Sequence, residues 1–207
     1  MKTFINNILL HPAAKQCLFT ICLLPFVWLA YAAFADLLGP NPAESLIRST
    51  GDWTLRFLCI GLALTPLRVT TKLNALARYR RMLGLFTYFY VVLHLLCYSV
   101  FDMGLDVGDI VVDIAKRPFI LVGFTAFVLL SLLAGTSFNR AIKALGGKRW
   151  QILHRLVYAI SGLGLLHFFW MRTGKNDFAE VFVYAFILVA LLGWRIWYAQ
   201  KNFRKVS

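Results

Sequence analysis

Charge is scarce in this sequence. Only 15% of its 207 residues are Asp, Glu, Lys or Arg, where a soluble domain carries about 25%. Acids are scarcer still, 9 against 22 basic residues. No GxGxxG or P-loop spacing occurs, no internal repeat is visible, and none of the four cysteines forms a CxxC pair. These absences exclude a disordered chain, an ordinary cytosolic enzyme and an attached nucleotide or soluble flavin domain. What is abundant is apolar: 60% of the residues are hydrophobic, with 18 Phe, and the mean hydropathy is +0.70. A net charge of +13 raises the question of a nucleic-acid partner, but the placement of the charges assigns it to membrane topology.

The apolar stretches come in blocks of membrane-spanning length, about 20 residues for a roughly 30 Å hydrocarbon core. Six are expected, at about 16–36, 52–67, 82–101, 118–136, 151–171 and 179–199, the second being short at its centre. The connections are brief, so the sequence predicts an all-α membrane protein, a single six-helix bundle over 1–207. With the N-terminus inside, the inner segments hold 14 basic residues, among them Arg68, Lys72, Arg78, Arg80, Arg81, Arg140, Lys143, Lys148, Arg149, Lys201, Arg204 and Lys205. The outer segments hold 5: Arg48, Lys116, Arg117, Arg172 and Lys175. The positive-inside rule then places both termini in the cytoplasm, and the acids fall in or beside the outer segments. A rival reading of the first span is a signal peptide cleaved after Ala33-Phe34-Ala35. Its apolar run exceeds the usual length, and Pro25 is tolerable in a membrane helix.

Cys17, Cys22, Cys59 and Cys97 all fall inside predicted spans, read as buried thiols and receive no chemistry. The histidines differ. His11 precedes the first span and is expected to be solvated, whereas His94 lies in the third span and His154 and His167 lie in the fifth. A polar ring in a bilayer is costly and points into the bundle, as interhelical glue or as a functional group. Both spans run outward. His94 is 13 residues beyond Arg81, while His154 and His167 are 5 and 18 beyond Arg149. At 1.5 Å per residue, His94 differs in depth from His167 by roughly 7–8 Å and from His154 by roughly 12 Å. That favours His94 with His167. His154 and His167 point roughly 140° apart around an ideal helix, which argues against two stacked cofactors on one face. Gly162 and Gly164 between them keep a distortion open.

Two imidazoles are too few for a zinc site, and no thiolate or carboxylate lies at matching depth. They suffice as axial ligands of a six-coordinate haem iron. Phe86, Tyr88, Phe89, Tyr90, Tyr98, Phe168, Phe169 and Trp170 cluster near them in sequence, either around a flat macrocycle or as ordinary packing and interfacial belts. The lack of CxxCH excludes covalent attachment, leaving haem b with His94 and His167 as ligands. His154 is then an alternate ligand, or a tuning group at an inner quinone or flavin site. Arg56 or Arg172 could meet haem propionates; alternatively Arg56 pairs with Asp52 along one helix and Arg172 snorkels. Arg155, beside His154, is either an inner anion-binding cation or another snorkelling residue.

At these residues the chain resembles the haem-binding membrane subunit of bacterial protein-methionine-sulfoxide reductase, the MsrQ (YedZ) family. The resemblance runs through STGDWTLRFLCIGLALTPLR at 49–68 and RRMLGLFTYFYVVLHLLCY at 80–98. It continues through KRPFILVGFTAFVLLSLLAGTS at 116–137 and GGKRWQILHRLVYAISGLGLLHFFW at 146–170. The family's third-span histidine falls on His94 and its fifth-span pair on His154 and His167. The resemblance implies a ferric-reductase-like bundle in the bacterial inner membrane, carrying haem b and associated with FMN. It further implies the quinone pool or a cytoplasmic flavin reductase as donor, and a periplasmic molybdopterin-containing methionine-sulfoxide reductase subunit as acceptor.

The expected function is therefore membrane electron transfer, with lipid as the surrounding partner and no nucleic acid. The acidic outer loop, Asp102, Asp106, Asp109 and Asp113, either helps dock the acceptor or is a solvated loop. Two rivals remain: a proton transporter using the histidines as a relay, which would prefer mid-span acids that are lacking, and a stand-alone ferric or quinone reductase.

Overall fold

The computed structural model describes residues 2–174 and 176–203. Lys175, Arg204 and Lys205, counted in the charge asymmetry, lie outside the described residues. Every regular element among those described is helical. The chain divides into two compact units, Met1–Asp113 and the residues from Ile114 onward.

In the first unit, α1 (Lys2–Leu10) is followed by α2 (Pro12–Phe34), α3 (Pro42–Thr71), a 3-10 turn (Asn74–Tyr79) and α4 (Arg80–Cys97). Local chemistry sets the boundaries. His11 caps α2, its Nδ1 accepting from the Ala13 amide at 3.2 Å, and Pro12 takes the first helical position where no amide is needed. Asn41 does the same for α3 through the Glu44 amide at 3.1 Å, again with a proline following. The C-terminal carbonyls of α1, on Leu9 and Leu10, are taken up by Arg78, and the Tyr79 hydroxyl also donates to Leu9.

The core of this unit lies where α3 packs along α4 with α2 beside them. It contains Cys22, Phe57, Leu64, Tyr79, Met82, Leu83, Phe86 and Tyr90. Phe86, Phe57, Tyr90 and Trp53 form a continuous run of rings, with centroids 5.7, 5.1 and 6.2 Å apart in turn. After Cys97 the helix widens to a π turn over Tyr98–Asp102, and α5 (Val107–Lys116) follows. The expected acidic loop is thus partly helix. Asp106 starts it by accepting the Asp109 amide at 3.0 Å, as an aspartate does at a helix N-terminus.

The second unit contains α6 (Pro118–Gly135), α7 (Asn139–Leu145), α8 (Gly147–His154), α9 (Leu156–Thr173) and α10 (Ala179–Phe203). Here α6 packs along α9, and α10 lies against α9. Phe168 meets Tyr184 edge-on at 5.7 Å, and Phe169 stacks on Phe178 at 5.4 Å.

Two expectations need correction. Five helical stretches are long and apolar enough to cross a membrane: Pro12–Phe34, Asn74–Asp102, Pro118–Gly135, Gly147–Thr173 and Ala179–Phe203. The second expected span, 52–67, is helical within α3 but is not among them, because Arg56 and Arg68 bracket a short apolar run. The fifth expected span, 151–171, falls within Gly147–Thr173, with one turn residue, Arg155, between α8 and α9. Cys17 is exposed rather than buried. It lies on the outer side of α2, where an apolar thiol facing lipid costs nothing.

Candidate functional site

His94 stands on α4, and its environment is built by α3. The His94 Nδ1 lies 2.8 Å from the Ile47 carbonyl oxygen. A carbonyl only accepts, so Nδ1 carries the proton and the imidazole lone pair resides on Nε2. The hydroxyl of buried Thr50 donates between the Leu46 carbonyl at 2.8 Å and this Ile47 carbonyl at 3.0 Å. Gly51 follows Ile47 by one turn, and the His94 ring lies across it: a β-carbon built on Gly51 would sit 3.2 Å from Nδ1 and from Cε1.

His167 stands on α9, and α6 builds its environment the same way. Its Nδ1 lies 2.7 Å from the Phe119 carbonyl oxygen, so here too Nδ1 donates and Nε2 holds the lone pair. One turn on, Gly123 backs the ring, and a β-carbon there would come within 2.8 Å of Nδ1 and Cε1. The two histidines thus share a tautomer and a supporting arrangement, one in each unit.

His154 is held differently. It ends α8, with its ring 4.0 Å from that of Trp150. Its Nε2 lies 3.3 Å from the Thr136 hydroxyl oxygen. The same hydroxyl lies 2.8 Å from the Leu132 carbonyl oxygen and 3.2 Å from that of Leu133, so it is His154 Nε2, not Nδ1, that meets a neighbouring polar group here. Trp150 locks the cluster by donating its indole N–H to the Thr136 carbonyl at 2.9 Å.

The arginines separate as well. Arg56 lies over the Trp53 ring, 4.7 Å from its centroid. Arg172, one of the two cations offered for a propionate, pairs with Asp177 at 3.2 Å and Glu180 at 2.5 Å and covers the Phe168 ring. Arg155 is exposed at the junction of α8 and α9. Of the aromatics expected beside the histidines, Tyr98 donates its hydroxyl to Asp113 at 2.7 Å, and Phe86, Phe89 and Tyr90 belong to the packed core of the first unit. Among the described residues no group of three or more His, Cys, Asp or Glu could hold a metal ion.

Sequence reasoning missed the two carbonyls, the two glycines and the Thr136–Trp150 pair. A main-chain carbonyl leaves no mark on the sequence. The glycines do, as small residues on helices that must admit a ring from a neighbour.

Residues 50–165 match the family model for the ferric reductase like transmembrane component. The chain is similar over most of its length to curated proteins named protein-methionine-sulfoxide reductase heme-binding subunit MsrQ. It is 72% identical to that of Polaromonas naphthalenivorans, covering 96% of this chain and 91% of the relative. It is 51% identical to that of Ralstonia nicotianae, covering 93% and 89%. With the protein of Caulobacter vibrioides it shares 42% identity over 90% and 88%. No solved structure matches the chain. Its long apolar helices and these bacterial relatives make it a multi-pass inner-membrane protein, and the chain belongs to the MsrQ family, with the all-α ferric-reductase-like fold of that family.

Proposed function

We propose that this chain is the haem b electron-transfer subunit of a methionine-sulfoxide reductase system, with His94 and His167 as the axial ligands. One observation carries the reading. Both imidazoles donate Nδ1–H to a main-chain carbonyl, at 2.8 and 2.7 Å, which is how metal-ligating histidines are usually oriented and made more basic. The donor set fits haem: two neutral imidazoles with their lone pairs on Nε2, and no group of metal-binding side chains beside them among the described residues. Haem b, when bound, supplies a one-electron carrier in the membrane. The chain's own residues fix each ring's rotation and tautomer, and the apolar helices keep water from it.

In this reading the whole chain, 1–207, acts as one haem-binding domain with both termini cytoplasmic. Arg56 is the cation for a haem carboxylate. His154 and Arg155 serve the cytoplasmic side, where the quinone pool or a flavin reductase delivers electrons and where FMN would bind. The acceptor is a periplasmic molybdopterin-containing subunit that reduces methionine sulfoxide in envelope proteins. The relatives' printed names and the family resemblance support the haem and the reductase system; the donor, FMN and the molybdopterin partner rest on the resemblance alone.

The test is the reduced-minus-oxidised absorption spectrum of the purified protein beside His94→Ala, His154→Ala and His167→Ala. Loss of a b-type spectrum in the first and third, with retention in His154→Ala, is the expected result. Retention in His167→Ala with loss in His154→Ala overturns the ligand pair. A wild type that takes up no haem when haem is abundant returns the proton-relay reading to first place.

A further inference from the structure

We propose that Gly51 and Gly123 are positioning residues for the two imidazoles, each leaving the space in which its ring lies while the carbonyl four residues earlier holds the ring there. The inference rests on the assignment of His94 and His167 as haem ligands and adds the device that sets their orientation.

The geometry is the same twice. Ile47 and Gly51 are four apart on α3, as are Phe119 and Gly123 on α6. In an α-helix the carbonyl of residue i accepts the amide of residue i+4, so each histidine addresses a carbonyl on the turn that its glycine closes. A side chain at i+4 would leave its α-carbon tilted toward the helix N-terminus. It would therefore project over that carbonyl, into the place the imidazole takes. At Gly51 the three nearest atoms to such a β-carbon are Cε1, Nδ1 and Nε2 of His94, at 3.2, 3.2 and 3.8 Å. At Gly123 they are Cε1, Nδ1 and Cγ of His167, at 2.8, 2.8 and 3.0 Å.

General helix packing does not account for this. A small residue that only lets two helices approach would set its missing β-carbon against backbone or several side chains. Here the three nearest atoms all belong to one ring. Of the other helical glycines, Gly61, Gly84, Gly135, Gly147, Gly162, Gly164 and Gly193 have nothing within 4 Å of a built β-carbon, and Gly108 meets only the Asp106 carboxylate two residues before it. Neither ring can swing aside without giving up its Nδ1–H hydrogen bond, so a methyl group at either glycine acts directly on ligand orientation. The contact at Gly123 is closer, and its substitution has the larger effect.

The experiment uses the full chain purified with haem, comparing Gly51→Ala and Gly123→Ala by low-spin EPR g values, haem midpoint potential and haem retention. Gly84→Ala and Gly164→Ala are the controls and leave all three unchanged. Gly51→Ala is expected to keep its haem with shifted g values and potential. Gly123→Ala is expected to hold haem about 10-fold more weakly, the usual scale for disturbing a ligand's supporting group. If Gly123→Ala fails to accumulate, the double variant with His167→Ala decides. Recovery of the folded apoprotein, once the ring is gone, supports the proposal, and continued failure overturns it. Unshifted g values and potentials in both glycine variants, where His94→Ala and His167→Ala lack haem, overturn the proposal while the ligand assignment stands. Haem retained in both histidine variants overturns the two together.

Discussion

Tyr90 on α4 and Cys22 on α2 share a hydrogen bond of 2.9 Å that ties the two helices together through a main-chain carbonyl. The Tyr90 hydroxyl donates to the Cys22 carbonyl and accepts from the Phe26 amide at 3.1 Å. In an unbroken helix those two groups would bond to each other. Pro25, between them in sequence, brings no amide proton to the α2 ladder, and the hydroxyl of a fully buried tyrosine meets both main-chain groups beside it. Tyr90→Phe keeps the ring in its stack with Phe57 and strips the bridge from two main-chain groups in an apolar setting. The expected cost is about 1–3 kcal/mol, read as a lower thermal midpoint in detergent. In a Pro25→Ala background the same substitution should cost less, because the Cys22–Phe26 hydrogen bond can then close.

The contact between His154 and Thr136 yields a second expectation. Thr136→Val removes the hydroxyl beside His154 Nε2 at little change in volume, whereas Thr136→Ser retains it. Thr136→Val should lower stability by about 1 kcal/mol and leave the b-type absorption spectrum unchanged, with Thr136→Ser close to wild type in both. A moved spectrum in Thr136→Val would make His154 an iron ligand and reverse the assignment of His94 with His167.

Much of the helical plan is written in the sequence. Pro12, Pro42 and Pro118 begin helices after His11, Asn41 and Arg117, and the apolar runs at 118–136 and 179–199 coincide closely with α6 and α10. The histidines stand out because a bilayer makes an imidazole expensive. What the sequence hides is the atoms they touch. Depth and helical phase follow from counting residues, but the carbonyls of Ile47 and Phe119 become partners only once two helices pack. The break at Arg155 is hidden too, since no proline marks it; there Trp150 and Thr136 fix His154 at the end of α8. Arg172 read as a cation for a cofactor carboxylate because its partners Asp177 and Glu180 lie across a turn, beyond the four-residue spacing that marks a helical pair.

Arg172 itself can be tested. Its side chain is 13% exposed, while those of Asp177 and Glu180 are about half exposed at 52% and 49%. Screening keeps such pairs weak, so Asp177→Asn and Glu180→Gln should each cost under about 1 kcal/mol. Arg172→Gln should cost more than either, because it loses both carboxylates and the Phe168 ring face. The losses should shrink in high salt, and the haem spectrum and midpoint potential should stay at wild-type values in all three variants. A shifted potential in Arg172→Gln would restore the propionate role.

The acids in and before α5 divide by what already holds them. Asp113 takes the Tyr98 hydroxyl at 2.7 Å, joining α5 to the π turn that follows the His94 helix, and Asp106 takes the Asp109 amide at the start of α5. The Asp109 side chain, by contrast, points outward from an exposed position on α5. Neutralising Asp109 should therefore touch association alone. Asp109→Asn is expected to slow docking of a basic acceptor surface at low ionic strength, with the difference vanishing as salt screens the charge, and to leave hydrogen exchange in α5 unaltered. Tyr98→Phe should do the reverse. It removes the Tyr98 hydroxyl from the Asp113 carboxylate, speeds amide exchange along Val107–Lys116, and lowers stability by about 1 kcal/mol at any salt concentration. If Asp109→Asn and Tyr98→Phe instead changed docking and exchange together, α5 would be acting as one unit, and the acids could not be assigned separate structural and steering roles.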